Sequence, residues 1–254
     1  MTYCLAIKTN NGIVFASDSR TNAGVDYIRT YSKMHVFSKA EERTLVLLTS
    51  GNLATTQAVV NTIQNDIEDD APANLFNRRH LHDVARYIGE ISRKEQLQHA
   101  AAFQDAGANG STSATMILGG QIAGRPPEIF LVYPEGNYIS ASPETPYLQI
   151  GETKYGKPIL DRTLMTSTTL EDAARCAMVS LDSTMRANLS VGPPFELAIY
   201  RADSLTTPIH RVFKLQSPFI KSMQKSWSEG LQRTFKRLPR FDWEEQHKAS
   251  LHKE

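Results

Sequence analysis

Two short apolar runs open the chain, YCLAIKT at 3–9 and GIVFASD at 12–18, separated by Asn10-Asn11-Gly12. An Asn-Gly pair readily adopts the positive φ angles that the tightest hairpin turns require. The pattern therefore predicts two antiparallel strands joined by a tight turn, beginning almost at the start of the chain.

Further runs rich in apolar and β-branched residues predict strands later in the chain. MHVFS at 34–38 and RTLVLLTS at 43–50 form a second predicted hairpin across the polar segment KAEER. The remaining predicted strands are TSATMILGG at 112–120, PEIFLVYP at 127–134, NYISAS at 137–142, FELAIYRA at 195–202 and IHRVFKL at 209–215. Early and late strands contain apolar runs without strict alternation, which is typical of sheets that are covered on both faces.

Two segments in the first half carry apolar residues at helical spacing. The segment 52–68 places Val59, Ile63 and Ile67 four residues apart, on one face of a helix. A second helix is predicted over 78–98, with the apolar face Leu81, Val84, Ile88 and Ile91. The segment 105–111, Asp-Ala-Gly-Ala-Asn-Gly-Ser, is predicted to be a loop.

Two more helices are predicted in the second half. Thr168 is followed three residues later by Glu171, the pattern of a capping box at a helix start. The apolar face of this helix is Leu170, Ala174, Ala177, Leu181 and Met185. In the last helix apolar residues recur every three or four positions among lysines and arginines, at Ile220, Met223, Trp227, Leu231, Phe235 and Leu238.

The order of these elements predicts the fold class. Strands, two helices, strands, helices and strands follow one another, without the βαβα alternation of a parallel sheet. Hairpin-rich sheets with segregated helices favour an α+β fold, a four-layer αββα sandwich of two antiparallel sheets flanked by helices. We expect one domain over residues 1–216 and an amphipathic, basic helical extension over 217–254. We expect this extension to pack either on its own domain or on a neighbouring subunit. A basic helix on a membrane surface is less favoured, because Asp242, Glu244 and Glu245 follow shortly after.

Composition and charge exclude several function classes. The formal net charge is +1, which does not indicate a nucleic-acid partner. Cys4 and Cys176 do not resemble a disulfide framework, and no apolar run is long enough for a signal or a membrane span, so we expect a soluble cytoplasmic protein. His80 and His82 have no cysteine or carboxylate at ligand spacing, and we expect neither a metal nor another cofactor.

The position of Thr2 directly after Met1 offers chemistry of its own. If Met1 is removed, the α-amine of Thr2 can take the proton of its own hydroxyl, so that one residue supplies both nucleophile and base. The predicted hairpin brings Asp18 beside the start of the first strand. Lys33 leads into the third strand, and Gly51 lies at a strand-to-helix junction where an N–H can bind an oxyanion.

Together these residues resemble a known family. Thr2, GIVFASDSR with Asp18 and Arg20, YSKMHVF with Lys33, and TSGNLATTQ with Gly51 are similar to the β-subunits of proteasomes, which are N-terminal nucleophile (Ntn) hydrolases. Within that family the chain most resembles the bacterial Anbu subunits. The similarity lies in the segments VFASDSRTNAG and GPPFELAIYR and in the C-terminal extension.

The resemblance implies a role for each matching residue. Thr2 would be the nucleophile and its amine the base, in a threonine-type peptidase that hydrolyses peptide bonds. Lys33, paired with Asp18, would tune the hydroxyl, and the Gly51 N–H would form the oxyanion hole. Arg20 would support the site, and Ser190 matches a serine of a later family motif. The implied partners are a peptide or protein substrate and further copies in a homo-oligomeric ring or spiral. Participation of an ATPase unfoldase stays open, and neither nucleic acid nor membrane is implied.

Two positions depart from the family pattern. Glu152 stands where the family has a serine, and Ala187 stands where it has an aspartate. Two alternative functions therefore stay open: an Ntn amidase that acts on a small amide, and an assembly module with weak or no activity. A nucleotide site at 107–112, GANGST, lacks the P-loop lysine and carries little weight.

Overall fold

The computed structural model describes residues 2–22, 28–107 and 110–244 of the chain. In chain order the strands are β1 (Tyr3–Thr9), β2 (Gly12–Asp18), β3 (Arg20–Asn22), β4 (Ile28–Thr30), β5 (Met34–Lys39), β6 (Arg43–Gly51), β7 (Ala114–Ile122), β8 (Glu128–Val132), β9 (Tyr138–Ser140), β10 (Tyr147–Gly151), β11 (Phe195–Arg201) and β12 (Ile209–Phe213). The helices are α1 (Leu53–Glu68), α2 (Leu81–Asp105), α3 (Lys157–Thr163), α4 (Leu170–Ala187) and α5 (Pro218–Phe235).

Two five-stranded antiparallel sheets form the centre of the fold. The first has the strand order β10-β1-β2-β11-β12, and the second has the order β5-β6-β7-β8-β9. The sheets face each other through buried residues such as Ala6 and Phe15 on the first and Val46, Leu48 and Ile117 on the second. Because β1 and β2 lie in the middle of their sheet, nearly every residue of both strands is buried.

Helices cover the outer faces of both sheets. Val59 and Ile63 of α1 and Val84 and Ile88 of α2 belong to a buried cluster with Leu47 of the second sheet. On the other side α4 packs against β1 and β2, with α3 beside it. The predicted α+β fold, a four-layer αββα sandwich, is confirmed, and so are the hairpins β1–β2 and β5–β6.

Several elements differ from the sequence-based expectation. The cap of α4 is Thr169, one residue later than predicted, and its hydroxyl accepts the N–H of Asp172 at 3.1 Å. The hydroxyl of Thr168 instead accepts the N–H of Met165. Helix α2 continues seven residues beyond the predicted end at 98, while β10, α3 and the small hairpin β3–β4 were not predicted. Two residues of the predicted loop at 105–111, 108 and 109, lie outside the described residues.

The chain divides into two compact units, Met1–Leu215 and Gln216–Glu254. The second unit contains α5, which begins with Pro218 at a position where a helix tolerates proline. Helix α5 covers most of the predicted helix at 220–238 but ends at Phe235, so the predicted end at Leu238 is wrong. Residues 245–254 lie outside the described part of the chain. No helix within the described residues combines the length and the apolar character that crossing a bilayer requires.

Candidate functional site

The β1–β2 hairpin brings Thr2 and Asp18 together. Cys4 is paired with Ser17, and one step further along the ladder the N–H of Tyr3 donates to Oδ1 of Asp18 at 2.9 Å. The tight turn fixes this register, because a slip by one residue would move every side chain to the opposite face of the sheet. The residue after Thr2 is therefore bonded directly to a buried carboxylate.

Lys33 completes a buried ion pair. Its Nζ donates to Oδ1 of Asp18 at 2.7 Å and to the carbonyl oxygen of Arg20 at 2.8 Å. The side chain of Lys33 is 8% exposed and that of Asp18 is 0% exposed. The carbonyl oxygen of Lys33 accepts the N–H of Thr49, which ties the lysine to the second sheet. The pair thus links the first sheet to the second.

The ionised form of Asp18 depends on the hydrogen-bond donors around its carboxylate. Burial raises the pKa of Asp18 above its ordinary value, while the Lys33 ammonium and the N–H groups of Tyr3 and Gly192 act in the opposite direction. Those donors stabilise the ionised form, because each hydrogen bond to a charged carboxylate favours it over the acid. Removal of any of them would move Asp18 towards the protonated form.

A loop after α4, which we call the 188–194 loop, contacts the same residues from the other side. The N–H of Gly192 donates to Oδ2 of Asp18 at 3.2 Å, and the guanidinium of Arg20 donates to the carbonyl oxygen of Leu189 at 2.6 Å. Gly192 carries no Cβ at the point where the Arg20 guanidinium lies. The N–H of Ser190 donates to the side chain of Asn188. The contact made by Gly192 was not predicted, since nothing in the sequence marks it.

Strand β10 contacts the backbone of Thr2 and Tyr3. Tyr3 is paired with Gly151, and the N–H of Glu152 donates to the carbonyl oxygen of Thr2 at 2.7 Å. Gly151 has a φ of 83°, and a Cβ at this position would collide with that same carbonyl group. Glycine is required here because only a residue without a side chain allows the close approach.

Thr2 lies in the wall of a cleft with a volume of about 720 Å³. Gly51, with a φ of 114°, lies at the end of β6, and Asn52 caps α1 by accepting the N–H of Thr55. The other lining residues are Thr21, Ser32, Lys33, His35, Thr49, Ser50, Leu53, Thr56, Gln57, Val60, Asn61, Gln64 and Gly151. Among the described residues that line this wall, Lys33 is the only lysine, arginine, aspartate or glutamate.

The structure thus brings together the sequence-predicted residues in two groups. Thr2, Lys33 and Gly51 line the cleft, and Asp18 is buried and paired with Lys33. Arg20 and Ser190 do not line it among the described residues, and they contribute to the 188–194 loop contacts instead. Over the described ranges no group of three or more histidine, cysteine, aspartate or glutamate side chains is arranged to hold a metal ion.

The histidine in the cleft predicts a pH dependence of stability. Burial lowers the pKa of His35 below its ordinary value, because the charged imidazole loses hydration. A lowered folded-state pKa adds stability above the unfolded value of about 6.5, and this stability is lost on acidification because the unfolded chain takes up the proton first. We expect the free energy of unfolding to fall less in His35→Gln than in the wild type between about pH 7 and pH 5.

Urea denaturation at several pH values measures this difference. His82→Gln is the matched control, because the side chain of His82 is 45% exposed. The control should follow the wild-type pH dependence. Equal slopes for His35→Gln and the wild type would contradict the prediction.

Comparisons with known proteins give concordant matches. A protein-family model described as proteasome subunit matches residues 2–200. The structure of Anbu (ancestral β-subunit) from Yersinia bercovieri is 43% identical, with a TM-score of 0.88 over 94% of this chain and 99% of that chain. The helical assembly of the Anbu complex from Pseudomonas aeruginosa is 45% identical, with a TM-score of 0.88 over 94% and 98% of the two chains. A Gly-1 mutant of Anbu from Hyphomicrobium sp. strain MC1 is 39% identical, with a TM-score of 0.87 over 95% and 100%. Comparison with the curated proteins gave no match.

Proposed function

Because this chain belongs to the proteasome subunit family, and within it to the Anbu group, we propose that it is a threonine-type peptidase subunit with Thr2 as its nucleophile. One observation carries the proposal. Thr2 lines a cleft together with Gly51 and with Lys33, whose ammonium is held by the buried carboxylate of Asp18. A nucleophile, a fixed cation and a candidate oxyanion donor therefore share one cavity.

The proposed reaction requires removal of Met1. The freed α-amine of Thr2, with an ordinary pKa of about 7.7–8.0, takes the proton of the Thr2 hydroxyl as Oγ1 attacks the substrate carbonyl carbon. The oxyanion that forms accepts a hydrogen bond from the Gly51 N–H. The protonated α-amine then gives its proton to the leaving amine, and water hydrolyses the ester on Thr2.

Lys33 would lower the energy of the charged states in this reaction. An ammonium has three N–H donors, and two of them bond to Asp18 and to the carbonyl oxygen of Arg20. A positive charge fixed in the cleft that Thr2 lines favours the alkoxide of Thr2 and the neutral form of its α-amine. Arg20 would support the site by holding Leu189, and Ser190 would do so from the same loop.

We further propose that the subunit acts as a homo-oligomer. A P. aeruginosa relative forms a helical assembly, which supports self-association in a spiral or ring. The substrate would be a peptide or protein. An ATPase unfoldase that delivers unfolded substrate is an optional partner in this proposal. The domain would comprise residues 1–216, with 217–254 as a helical extension. Cys4 and Cys176 form no disulfide, in keeping with a reducing cytoplasm.

Covalent labelling tests the proposal. The purified protein is treated with a panel of tripeptide vinyl sulfones, and the adduct is mapped by mass spectrometry. We expect Met1 to be absent and one adduct on the Oγ1 of Thr2. An adduct elsewhere, or reaction of a chain that retains Met1, would contradict the mechanism. Intact oligomers without any adduct would favour the assembly module, and turnover of small amides alone would favour the amidase.

A further inference from the structure

Glu152 is a buried carboxylate that the proposed reaction does not use. It is 9% exposed and follows Gly151, whose backbone lies against Thr2. No lysine, arginine or histidine within the described residues lies at ion-pair distance from it, although ion pairs are found elsewhere in the same unit. A buried carboxylate without a cation needs hydrogen-bond donors to compensate for its lost hydration.

Glu152 makes two hydrogen bonds that point in different directions. Its backbone N–H donates to the carbonyl oxygen of Thr2 at 2.7 Å. Its Oε2 accepts from the side-chain Nδ2 of Asn188 at 3.0 Å. A hydrogen bond from a neutral donor to an ionised acceptor is stronger than one between neutral groups. Glu152 therefore connects Thr2 to the residue that directly follows α4.

Asn188 uses both ends of its amide. While Nδ2 donates to Glu152, Oδ1 accepts the N–H of Ser190 at 2.9 Å. Its backbone N–H closes α4 by donating to Thr184. The orientation of the amide is fixed, because exchange of its oxygen and nitrogen would set an NH₂ group against the Ser190 N–H. Asn188 thus orients the start of the 188–194 loop, whose Gly192 donates to Asp18.

We propose that the hydrogen bond between Glu152 and Asn188 is a clasp that fixes Thr2 relative to Asp18, so that both residues are positioning residues for the nucleophile. The clasp joins the residue bonded to the Thr2 carbonyl with the loop bonded to the Asp18 carboxylate. This inference rests on the proposed function of Thr2. Reactions of this kind are sensitive to displacements of the nucleophile well below the size of an atom.

An exchange of the two functional groups tests the clasp. In Asn188→Asp the new carboxylate still accepts the hydrogen bond from the Ser190 N–H. Its other oxygen faces the carboxylate of Glu152, so the two carboxylates repel each other. In Glu152→Gln combined with Asn188→Asp the glutamine amide donates to the aspartate, and the hydrogen bond forms again with donor and acceptor exchanged. Asn188→Ala removes the donor without adding charge.

The first readout is the rate of Thr2 labelling by a tripeptide vinyl sulfone, separated into binding and bond formation. We expect bond formation to slow about tenfold in Asn188→Asp and to recover to within about threefold in the double variant, with little change in binding. The rate of bond formation in Asn188→Ala should lie between the rates of Asn188→Asp and the double variant. Glu90→Gln with Asn65→Asp, two exposed positions on helices, is the matched control and should label like the wild type.

The second readout does not need the reaction. Hydrogen exchange of the Glu152 amide, which bonds to Thr2, should accelerate in Asn188→Asp and slow again in the double variant. If the wild type is never labelled at Thr2, the proposed function fails while this measurement still decides whether the clasp exists. Unchanged exchange in Asn188→Asp, or no recovery in a folded double variant, would overturn the proposal.

Discussion

A Lys33→Met variant is expected to lose about 3–5 kcal/mol of unfolding free energy together with its reaction at Thr2. Asp18 has no exposed side-chain surface, and Lys33 provides its only ion-pair contact among the described residues. Without the ammonium the carboxylate stays buried with only backbone N–H donors. Urea denaturation measures the first loss, and vinyl sulfone labelling measures the second.

A double variant separates the two effects. Asp18→Asn combined with Lys33→Met removes both charges, so it should recover most of the lost stability. Labelling should stay lost, because the cleft that Thr2 lines no longer holds the lysine ammonium. Lys39→Met is the matched control. Its ion pair with Glu42 is largely exposed, so the unfolding free energy should change by less than about 1 kcal/mol. A stable Lys33→Met protein, or a double variant that labels normally, would refute this account.

The second large effect concerns the nucleophile itself. Thr2→Ala removes the only hydroxyl of the proposed reaction, and we expect the rates of hydrolysis and labelling to fall by a factor of about 10³ or more. Thr2→Ser keeps both hydroxyl and amine, so it should retain a measurable rate. Both variants should fold normally, since the hydrogen bond to Glu152 uses the backbone of residue 2.

Peptide mapping and progress curves read out this experiment. Thr207→Ala, at an exposed position remote in sequence from the site, is the control and should react like the wild type. Labelling of Thr2→Ala at the wild-type rate would show that the nucleophile is another residue. The proposed role of Thr2 would then be wrong even though the fold is unchanged.

Local sequence patterns were sufficient for most of the fold. The Asn-Gly turn fixes the register of the first hairpin, and that register predicts the proximity of residue 3 and Asp18 that the structure confirms. The spacing of Val59 and Ile63 likewise predicts the face of α1 that is buried. Such signals lie within one element or one turn, where neighbours in sequence are also neighbours in space.

The remaining features depend on contacts between distant segments. Strand β10 has five residues and helix α3 has seven, too few to establish a period. Thr168 and Thr169 offer the same capping hydroxyl, and only the surrounding backbone decides between them. The hydrogen bond from Asn188 to Glu152 spans 36 positions along the chain. No local sequence pattern predicts this hydrogen bond, because asparagine and glutamate are both common on protein surfaces.

The position of β1 between β10 and β2 determines when the site can assemble during synthesis. Its partner β10 lies more than 130 residues further along, and Gly192, which bonds to Asp18, is later still. A chain that leaves the ribosome from its N-terminus therefore carries Thr2 long before the surroundings of that residue exist. Pairings over such distances also form slowly. The topology therefore delays assembly of the site: the Thr2 hydroxyl is surrounded by its complete site only after most of the subunit has been made.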